Sequence, residues 1–268
     1  MAEVFKARAF GASGFEKIIA LKLLREEFVG EPSYERMFAE EARLQALFTH
    51  RCLVHAHDAG VVAGRPWVRL DFVDGTDLRT LISSARLPTD LACFIVAELC
   101  LALNAVHTET QLGLVHRDVS SGNVLISRAG EVRLGDFGIA KATLMKEQTR
   151  GGVRKGSVEY MSPEQAAGRT LTSASDVFSL ATLAVELLTG TRPFDGATPV
   201  ETLEKIRDAK PKLEGVPDQL RAIITSCFAL DPASRPLPLT LRDLFHSAAA
   251  DEPSLAKWAR IRLDGAAV

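Results

Sequence analysis

The sequence predicts an α+β chain of two lobes, a small β-rich lobe with one helix followed by a larger, mainly helical lobe. Strand-like runs at residues 1–10 and 16–24, joined by small residues at 11–14, predict a hairpin at the start. Beyond residue 90 the pattern changes to helical segments that are apolar around most of their circumference, which places them in a core. A length of 268 residues is sufficient for both lobes.

The remaining elements follow in order along the chain. We expect a helix over residues 34–48 and strands over 54–62 and 66–73, which complete a small lobe of residues 1–73. A larger lobe over residues 74–249 and a C-terminal tail over 250–268 follow. Within the larger lobe the patterns predict helices at 91–107, 177–188 and 199–209, with a strand-turn-strand at 123–127 and 131–134.

Composition and charge exclude several classes of protein. The chain is 47% hydrophobic and 25% charged, and its net charge of -2 comes without a basic stripe, so we expect no nucleic-acid partner and no polybasic membrane anchor. The N-terminus lacks a secretory pattern, and the most apolar stretch, 177–188, is short and contains Glu186. The four cysteines are scattered along the chain, at Cys52, Cys93, Cys100 and Cys227. Their spacing predicts free thiols in a reducing compartment, so a cytoplasmic location is expected.

Two short motifs in the middle of the chain contain the residues suited to chemistry. Residues 116–123 have the form H-R-D-x-x-x-x-N, and residues 136–138 read D-F-G. Phosphoryl transfer needs metal ions that neutralise the phosphates and a carboxylate that orients the attacking hydroxyl, and the two motifs contain carboxylate and amide side chains of the types that could serve these purposes. The alternative is that the same polar residues only cap turns. The order of both motifs around a strand-turn-strand favours chemistry.

Further motifs at five other places extend the pattern. Residues 20–22 read A-L-K, residues 41–44 read E-A-R-L, and residues 162–164 read S-P-E, while 175–179 and 231–236 read S-D-V-F-S and D-P-A-S-R-P. With these motifs the sequence resembles, from residue 1 to about 249, the catalytic domain of eukaryotic-like (Hanks-type) serine/threonine protein kinases of the kind found in bacteria. The resemblance implies the bilobal protein-kinase fold.

The resemblance also implies catalytic roles. Asp118 would accept the proton of the substrate hydroxyl, and Asn123 and Asp136 would hold magnesium, while Phe137 would pack behind the helix of the small lobe. Lys22 would contact the α and β phosphates of ATP.

The helix of the small lobe would supply the partner of Lys22. Glu41, 19 positions after Lys22, is the expected partner, with Glu40 as the alternative if the register differs.

An adenine site is implied by the same comparison. Its apolar members would equally pass for ordinary core residues if seen alone. Val4 and Ala20 would form the roof, Leu125 the floor and Leu70 the gatekeeper, with the backbone of Asp71 and Val73 as the hinge and Asp77 at the ribose.

Structural and regulatory roles are implied at six further positions. Glu164 and Arg235 would form a buried ion pair, and Asp176 would brace the catalytic loop. Arg117, next to the catalytic aspartate, suggests control by loop phosphorylation, because a phosphate could pair with that arginine. Thr149 is the candidate for that phosphate, in a segment that also contains Thr143 and Ser157; the alternative is that these are ordinary polar loop residues.

The sequence departs from the family pattern at two places. The glycine-rich loop that covers the phosphates should lie immediately before and through Val4, yet the sequence begins at Met1 and lacks the first strand and the glycines. We expect a natural start upstream; the alternative is a lost phosphate lid. Ser120 occupies the position where serine/threonine kinases usually place a lysine. Residues 156–160, G-S-V-E-Y, resemble the G-T-x-x-Y of serine/threonine kinases and favour that specificity.

The sequence therefore predicts an enzyme that moves the γ-phosphoryl group of Mg-ATP onto a protein serine or threonine. Its expected partners are ATP, a protein substrate and a second copy of the chain for autophosphorylation. One alternative is a pseudokinase that acts as a nucleotide-binding or scaffolding module, motivated by the missing lid and by Ser120. The other is a small-molecule kinase of the aminoglycoside or choline type, which lacks the S-P-E and D-P-x-x-R-P elements.

Overall fold

The small lobe is an antiparallel sheet with one long helix. The computed structural model describes residues 1–108, 114–138 and 158–265 of the chain. Four strands pair in the order β1-β2-β4-β3, and helix α1 packs on β3 and β4, which confirms the predicted β-rich lobe. The elements are β1 (Ala2–Phe10), β2 (Glu16–Leu24), α1 (Pro32–Leu47), β3 (Ala56–Val62) and β4 (Arg65–Leu70), with 3-10 turns at Ala12–Gly14 and Glu26–Phe28.

Local sequence explains how these elements begin and turn. The hairpin between β1 and β2 closes through Ser13 and Gly14, whose φ angles of 57° and 78° lie in the left-handed region that glycine adopts at little cost. Helix α1 begins at Pro32, two residues earlier than predicted, because proline lacks the N–H group that the first helical turn would leave unpaired. One face of α1, including Phe38 and Glu41, is buried against the sheet.

The larger lobe is mainly helical and carries a small second sheet. Strands pair in the order β5-β6-β7, and the backbone of Leu134 exchanges hydrogen bonds with Cys52 and Val54 of the small lobe. The elements are β5 (Gly75–Asp77), α2 (Leu78–Ser84), α3 (Thr89–Thr108), β6 (Val124–Ser127), β7 (Val132–Leu134), α4 (Pro163–Ala166), α5 (Ser173–Thr189), α6 (Pro199–Asp208), α7 (Asp218–Cys227), a 3-10 turn (Pro232–Ser234), α8 (Pro238–His246) and α9 (Glu252–Gly265).

Helices α3 and α5 form the centre of the large lobe. Helix α5 extends the predicted segment 177–188 in both directions and ends at Gly190, which adopts φ 82°. Helix α3 packs on α5 and α8. Among the described helices, α3 alone is long and apolar enough to cross a membrane by length and composition. Its 18-residue apolar stretch is 78% buried inside the protein.

The segment that the sequence set apart as a tail contains helix α9. This helix packs on α2, α3 and β6, and Leu255, Trp258 and Ala259 belong to the main core. Its first turn lies so close to Gly130 that a Cβ atom there would be 2.3 Å from the carbonyl oxygen of Glu252. Because α9 depends on these tertiary contacts, local sequence pattern did not reveal it.

A buried ion pair joins α4 to the loop before α8. The guanidinium of Arg235 donates to both carboxylate oxygens of Glu164 over 2.7 and 3.0 Å, and both residues are about 95% buried. The Ser175 hydroxyl donates to the same carboxylate over 2.7 Å. Burial alone would raise the pKa of Glu164, but the bonds from Arg235 and Ser175 hold that pKa below its ordinary value.

We expect Arg235→Ala to lower the free energy of unfolding by about 3 kcal/mol, because it leaves the Glu164 carboxylate buried without its counter-charge. Urea unfolding would measure this loss. It should be present above pH 4.5 and shrink as the pH falls through the lowered pKa of Glu164, where the carboxylate takes up a proton. The matched control is Arg242→Ala, which removes a surface arginine bonded to Asp243. Equal losses in both variants would contradict the structural role of the buried pair.

Candidate active site between the lobes

Lys22 lies at the centre of a buried ionic cluster between the lobes. It sits on β2, a strand with neighbours on both sides, and its ammonium is 3.1 Å from Glu41 Oε1 of α1 and 2.7 Å from Asp136 Oδ1 after β7. Lys22 and Glu41 are buried, whereas Glu40 is exposed. The structure therefore pairs Lys22 with Glu41 rather than with the alternative Glu40.

The charges of this cluster depend on one another. Burial would lower the pKa of Lys22, but the carboxylates of Asp136 and Glu41 outweigh it and raise that pKa above its ordinary value, so the lysine stays cationic. Burial raises the pKa of Glu41 from 4.5 to about 7, against the opposing charge of Lys22. The side chain of Asp136 is 49% exposed, in contrast to the buried side chains of Lys22 and Glu41.

The catalytic loop is attached to α5 through one buried carboxylate. Asp176 accepts hydrogen bonds from the backbone N–H groups of His116 and Arg117 over 2.8 Å each. His107 of α3 lies 2.8 Å from the same carboxylate through Nε2. Arg117 adopts φ 71°, an unusual conformation for a residue with a side chain, and these bonds hold it.

One backbone bond joins the two central motifs directly, from the Gly138 N–H to the His116 carbonyl over 2.9 Å. Within the first motif, the Asn123 side-chain amide donates to the Asp118 carbonyl over 2.8 Å. A Cβ atom on Gly138 would lie 2.7 Å from Cβ of Asp118, so only glycine permits this approach. The H-R-D-x-x-x-x-N and D-F-G segments therefore occupy one compact unit.

Phe137 connects this unit to the small lobe. Its buried ring stacks on Phe48, the residue that follows α1, with centroids 5.6 Å apart, and lies 4.7 Å from the His116 ring. His116 is fully buried, and burial lowers its pKa, so the ring is neutral at physiological pH. The contact with Phe48 lies at the end of the helix of the small lobe, behind which Phe137 was expected.

The predicted adenine positions divide into two groups. Leu70 is buried, and Ala20, Val73 and Leu125 pack partly exposed against the same apolar cluster, while Val4 is 59% exposed.

The two acidic residues predicted at the adenine site, Asp71 and Asp77, already have hydrogen-bond partners. The Asp71 N–H donates to the His55 carbonyl. The Asp77 carboxylate caps α2, accepting from the N–H and the hydroxyl of Thr80 over 2.9 Å each.

Sequence reasoning assigned Asp71 a backbone role only, and it missed the bonds of the side chain. The Asp71 carboxylate lies 2.7 Å from His57 Nε2 of β3 and 3.0 Å from Arg133 Nη1 of β7. Burial alone would raise the pKa of this carboxyl, but His57 and Arg133 hold it below its ordinary value. Asp71 thereby ties the hinge to both lobes, and no motif in the sequence signals this bond.

Three regulatory positions remain. Arg117 is exposed beside Asp118. Thr149 and Ser157 lie outside the described residues.

Comparison with known proteins assigns the family. Residues 2–247 match the family model of the protein kinase domain. The chain belongs to this family. The kinase domain is also similar to curated bacterial proteins, and it spans only about a third of their length.

Three of these relatives indicate the range of activities in the family. The kinase domain is 34% identical over 265 residues to the serine/threonine-protein kinase AfsK of Streptomyces coelicolor, covering 96% of this chain and 32% of that protein. It is 34% identical over 246 residues to the serine/threonine-protein kinase PknB of Mycobacterium leprae, covering 88% and 39%. It is 32% identical over 250 residues to the tyrosine-protein kinase MasK of Myxococcus xanthus, again covering 88% and 39%.

We expect Glu41→Gln to change how stability depends on pH. Because the pKa of Glu41 is raised in the folded state, its contribution to stability is present below pH 4.5 and lost as the pH rises to about 7. The variant lacks this titration, so its free energy of unfolding should rise relative to that of the unmodified protein across this window. Urea unfolding of the nucleotide-free protein at several pH values would measure the difference.

The exposed neighbour provides the control for this experiment. Glu40→Gln makes the same substitution at the exposed position next in sequence, so a change that appears in both variants would not come from the buried cluster. If Glu41→Gln instead lost stability relative to the unmodified protein as the pH rose, the charge of Lys22 would outweigh burial at Glu41, contrary to the pKa direction given above.

Proposed function

We propose that this kinase domain transfers the γ-phosphoryl group of Mg-ATP to a serine or threonine hydroxyl of a protein. One observation carries the proposal: the Lys22 ammonium lies within 3.1 Å of both Glu41 and Asp136. The catalytic loop lies beside them, and the Asp176 carboxylate holds its backbone. A fixed cation with carboxylates beside it is what phosphoryl transfer requires. The names of the similar bacterial serine/threonine kinases support the same activity.

The residues of the cleft fit ATP and magnesium. Ala20, Val73 and Leu125 offer partly exposed apolar surface to a base, and the cationic Lys22 suits the phosphates. Magnesium prefers hard oxygen ligands, which the Asp136 carboxylate and the Asn123 amide can supply. When bound, the metal neutralises the charge of the phosphates. The backbone of Asp71 and Val73 would meet the edge of the base.

The chain's own residues would then orient the acceptor. Asp118 would accept the proton of the attacking hydroxyl, and its position depends on the approach of Gly138 and on the bond from Asn123. Lys22 would hold the phosphates while Glu41 keeps the ammonium in place. Preorganised charge of this kind needs no rearrangement during the reaction.

The choice of hydroxyl is part of the proposal. The G-S-V-E-Y segment at 156–160 favours serine and threonine, as do the names of AfsK and PknB, whereas MasK is named a tyrosine kinase. Phosphoamino-acid analysis of a labelled protein substrate decides between these acceptors. Phosphotyrosine alone would overturn the serine/threonine assignment.

A binding module without turnover is the second candidate, and Ser120 favours it. The side chain at this position is uncharged and 96% buried, so it supplies no cation to the transferred group. A small-molecule kinase is disfavoured. The buried Glu164–Arg235 pair joins the S-P-E and D-P-x-x-R-P motifs, which the sequences of such enzymes lack.

Three further features are proposed on the sequence alone. A phosphate on Thr149 or Ser157 would pair with Arg117 and activate the domain, a second copy of the chain would deliver it, and the domain would act in the cytoplasm. Mass spectrometry of the autophosphorylated protein and dilution series of the reaction test the first two.

We expect Asp118→Asn to lower the rate of transfer at least 100-fold while leaving the affinity for Mg-ATP nearly unchanged, because the amide cannot accept the hydroxyl proton. Lys22→Met should instead weaken productive binding of the phosphates. Transfer of a radiolabelled phosphoryl group to generic protein substrates and thermal-shift titration with Mg-ATP would measure both. Binding without transfer in the unmodified protein would support the binding module, and transfer only to a small metabolite would refute the proposed function.

We expect Gly138→Ala to reduce the rate of transfer about 10- to 100-fold, because the new methyl group would displace the side chain of Asp118. Steady-state kinetics would measure the loss, which should fall on kcat. The matched control is Gly11→Ala in the hairpin, where a Cβ atom meets the ring of Phe15 at 3.1 Å and lies far from the cleft in the fold. Equal activity of the two variants would contradict the positioning role of Gly138.

A further inference from the structure

Arg79 lies against the catalytic loop at a place where the loop has no side chain. Arg79 is the second residue of α2, and its backbone N–H donates to the Ser121 carbonyl over 3.0 Å. A Cβ atom on Gly122 would lie 2.7 Å from Nη2 and 3.0 Å from Cζ of Arg79. The guanidinium therefore occupies the space that any other residue at position 122 would fill.

This guanidinium is exposed and has no carboxylate partner among the described residues. Arg79 is exposed, and within residues 1–108, 114–138 and 158–265 no carboxylate lies within 4.0 Å of it. Asp77, two residues earlier, has both oxygens engaged by Thr80. A planar guanidinium without a partner can bind a carboxylate or a phosphate through two parallel N–H groups.

The neighbouring carboxylates are occupied by other groups. Glu186 accepts a hydrogen bond from the Tyr160 hydroxyl, which also contacts Ser121 of the catalytic loop. Burial raises the pKa of Glu186, and the charges of Arg192 and Arg79 act against that rise, so Arg79 is close enough to influence it. Arg192 itself pairs with Glu159. These carboxylates are thus tied into a network, while Arg79 faces solvent.

The position of Arg79 places it beside the path of a polypeptide substrate. Gly122 comes four residues after Asp118 and directly before Asn123. A substrate hydroxyl that reaches Asp118 brings its flanking residues over this part of the loop. An open cation there attracts an acidic residue and repels lysine or arginine.

We propose that Arg79 is a specificity-determining residue that favours protein substrates with a negatively charged residue beside the target hydroxyl. This inference rests on the proposed function, because it concerns the protein substrate of the same site. Charged pairs at exposed sites are modest, so the preference should be about three- to fivefold for one acidic residue. It should lie in KM rather than in kcat, because Arg79 contacts flanking residues and not the reacting atoms.

The test uses peptides that carry aspartate, lysine or alanine at each position around one serine. With the unmodified kinase domain, kcat/KM should be about three- to fivefold higher for aspartate than for alanine at one or two positions, and lower for lysine. Arg79→Gln should remove this preference, and Arg79→Glu should reverse it at the same positions. Retention of the original preference by Arg79→Glu would overturn the proposal.

Two controls separate a specific effect from a general one. Arg242→Glu changes the same charge on α8, where the guanidinium bonds Asp243, and it should leave the peptide preference unchanged. Urea unfolding of each variant shows whether folding is intact, and Arg79→Gln provides the milder change if Arg79→Glu unfolds. A reversal in Arg242→Glu would refute a local role for Arg79.

Fluorescence anisotropy of labelled peptides keeps this inference separate from the proposed function. If the unmodified protein transfers no phosphoryl group yet binds the aspartate peptide more tightly, and Arg79→Glu reverses that order, then the proposed activity fails and the specificity role stands. Equal binding of aspartate and lysine peptides would overturn the specificity role, whatever the activity.

Discussion

The bond network of Lys22 is the constraint on which the arrangement of the two lobes depends. One buried ammonium joins β2, α1 and the segment after β7, each from a different part of the chain. A buried charge without partners costs several kcal/mol, so the three elements must assemble together or leave an uncompensated ion. Phe137 then follows Asp136 into the apolar space beside Phe48, and the small lobe is fixed against the catalytic loop.

Helix α5 has the corresponding role in the large lobe. Its Asp176 accepts two backbone N–H groups of the catalytic loop, and its Ser175 donates to Glu164. The Arg235 guanidinium lies 5.1 Å from the ring of Phe178 on the same helix. Because one rigid buried helix holds both polar anchors, the loop that carries Asp118 and the segment at Glu164 keep a fixed relation to each other.

Sequence reasoning succeeded where local pattern and pairwise chemistry coincide. Glu41 could be chosen because the E-A-R-L motif at 41–44 resembles the family's helix motif that supplies the partner of the lysine, and β2 matched its predicted bounds, Glu16–Leu24. Helix α9 and the bonds of Asp71 could not be predicted, because they depend on partners distant in sequence, Gly130 in one case and His57 and Arg133 in the other. The contact between Arg79 and Gly122 is likewise visible only when α2 is placed next to the loop.

Lys22 and Arg79 differ in their surroundings, and this difference separates their tasks. Lys22 is 94% buried and paired with Glu41 and Asp136, so salt screens its interactions little and its position is set by the fold. Arg79 is exposed, so its attraction for a charged partner is weak, screened by salt and reversible. A nucleotide common to every turnover is suited to the buried, preorganised cation. The exposed Arg79 is suited to a polypeptide substrate, which must be distinguished from many others and then released. Specificity is a difference between affinities, so it does not require strong binding.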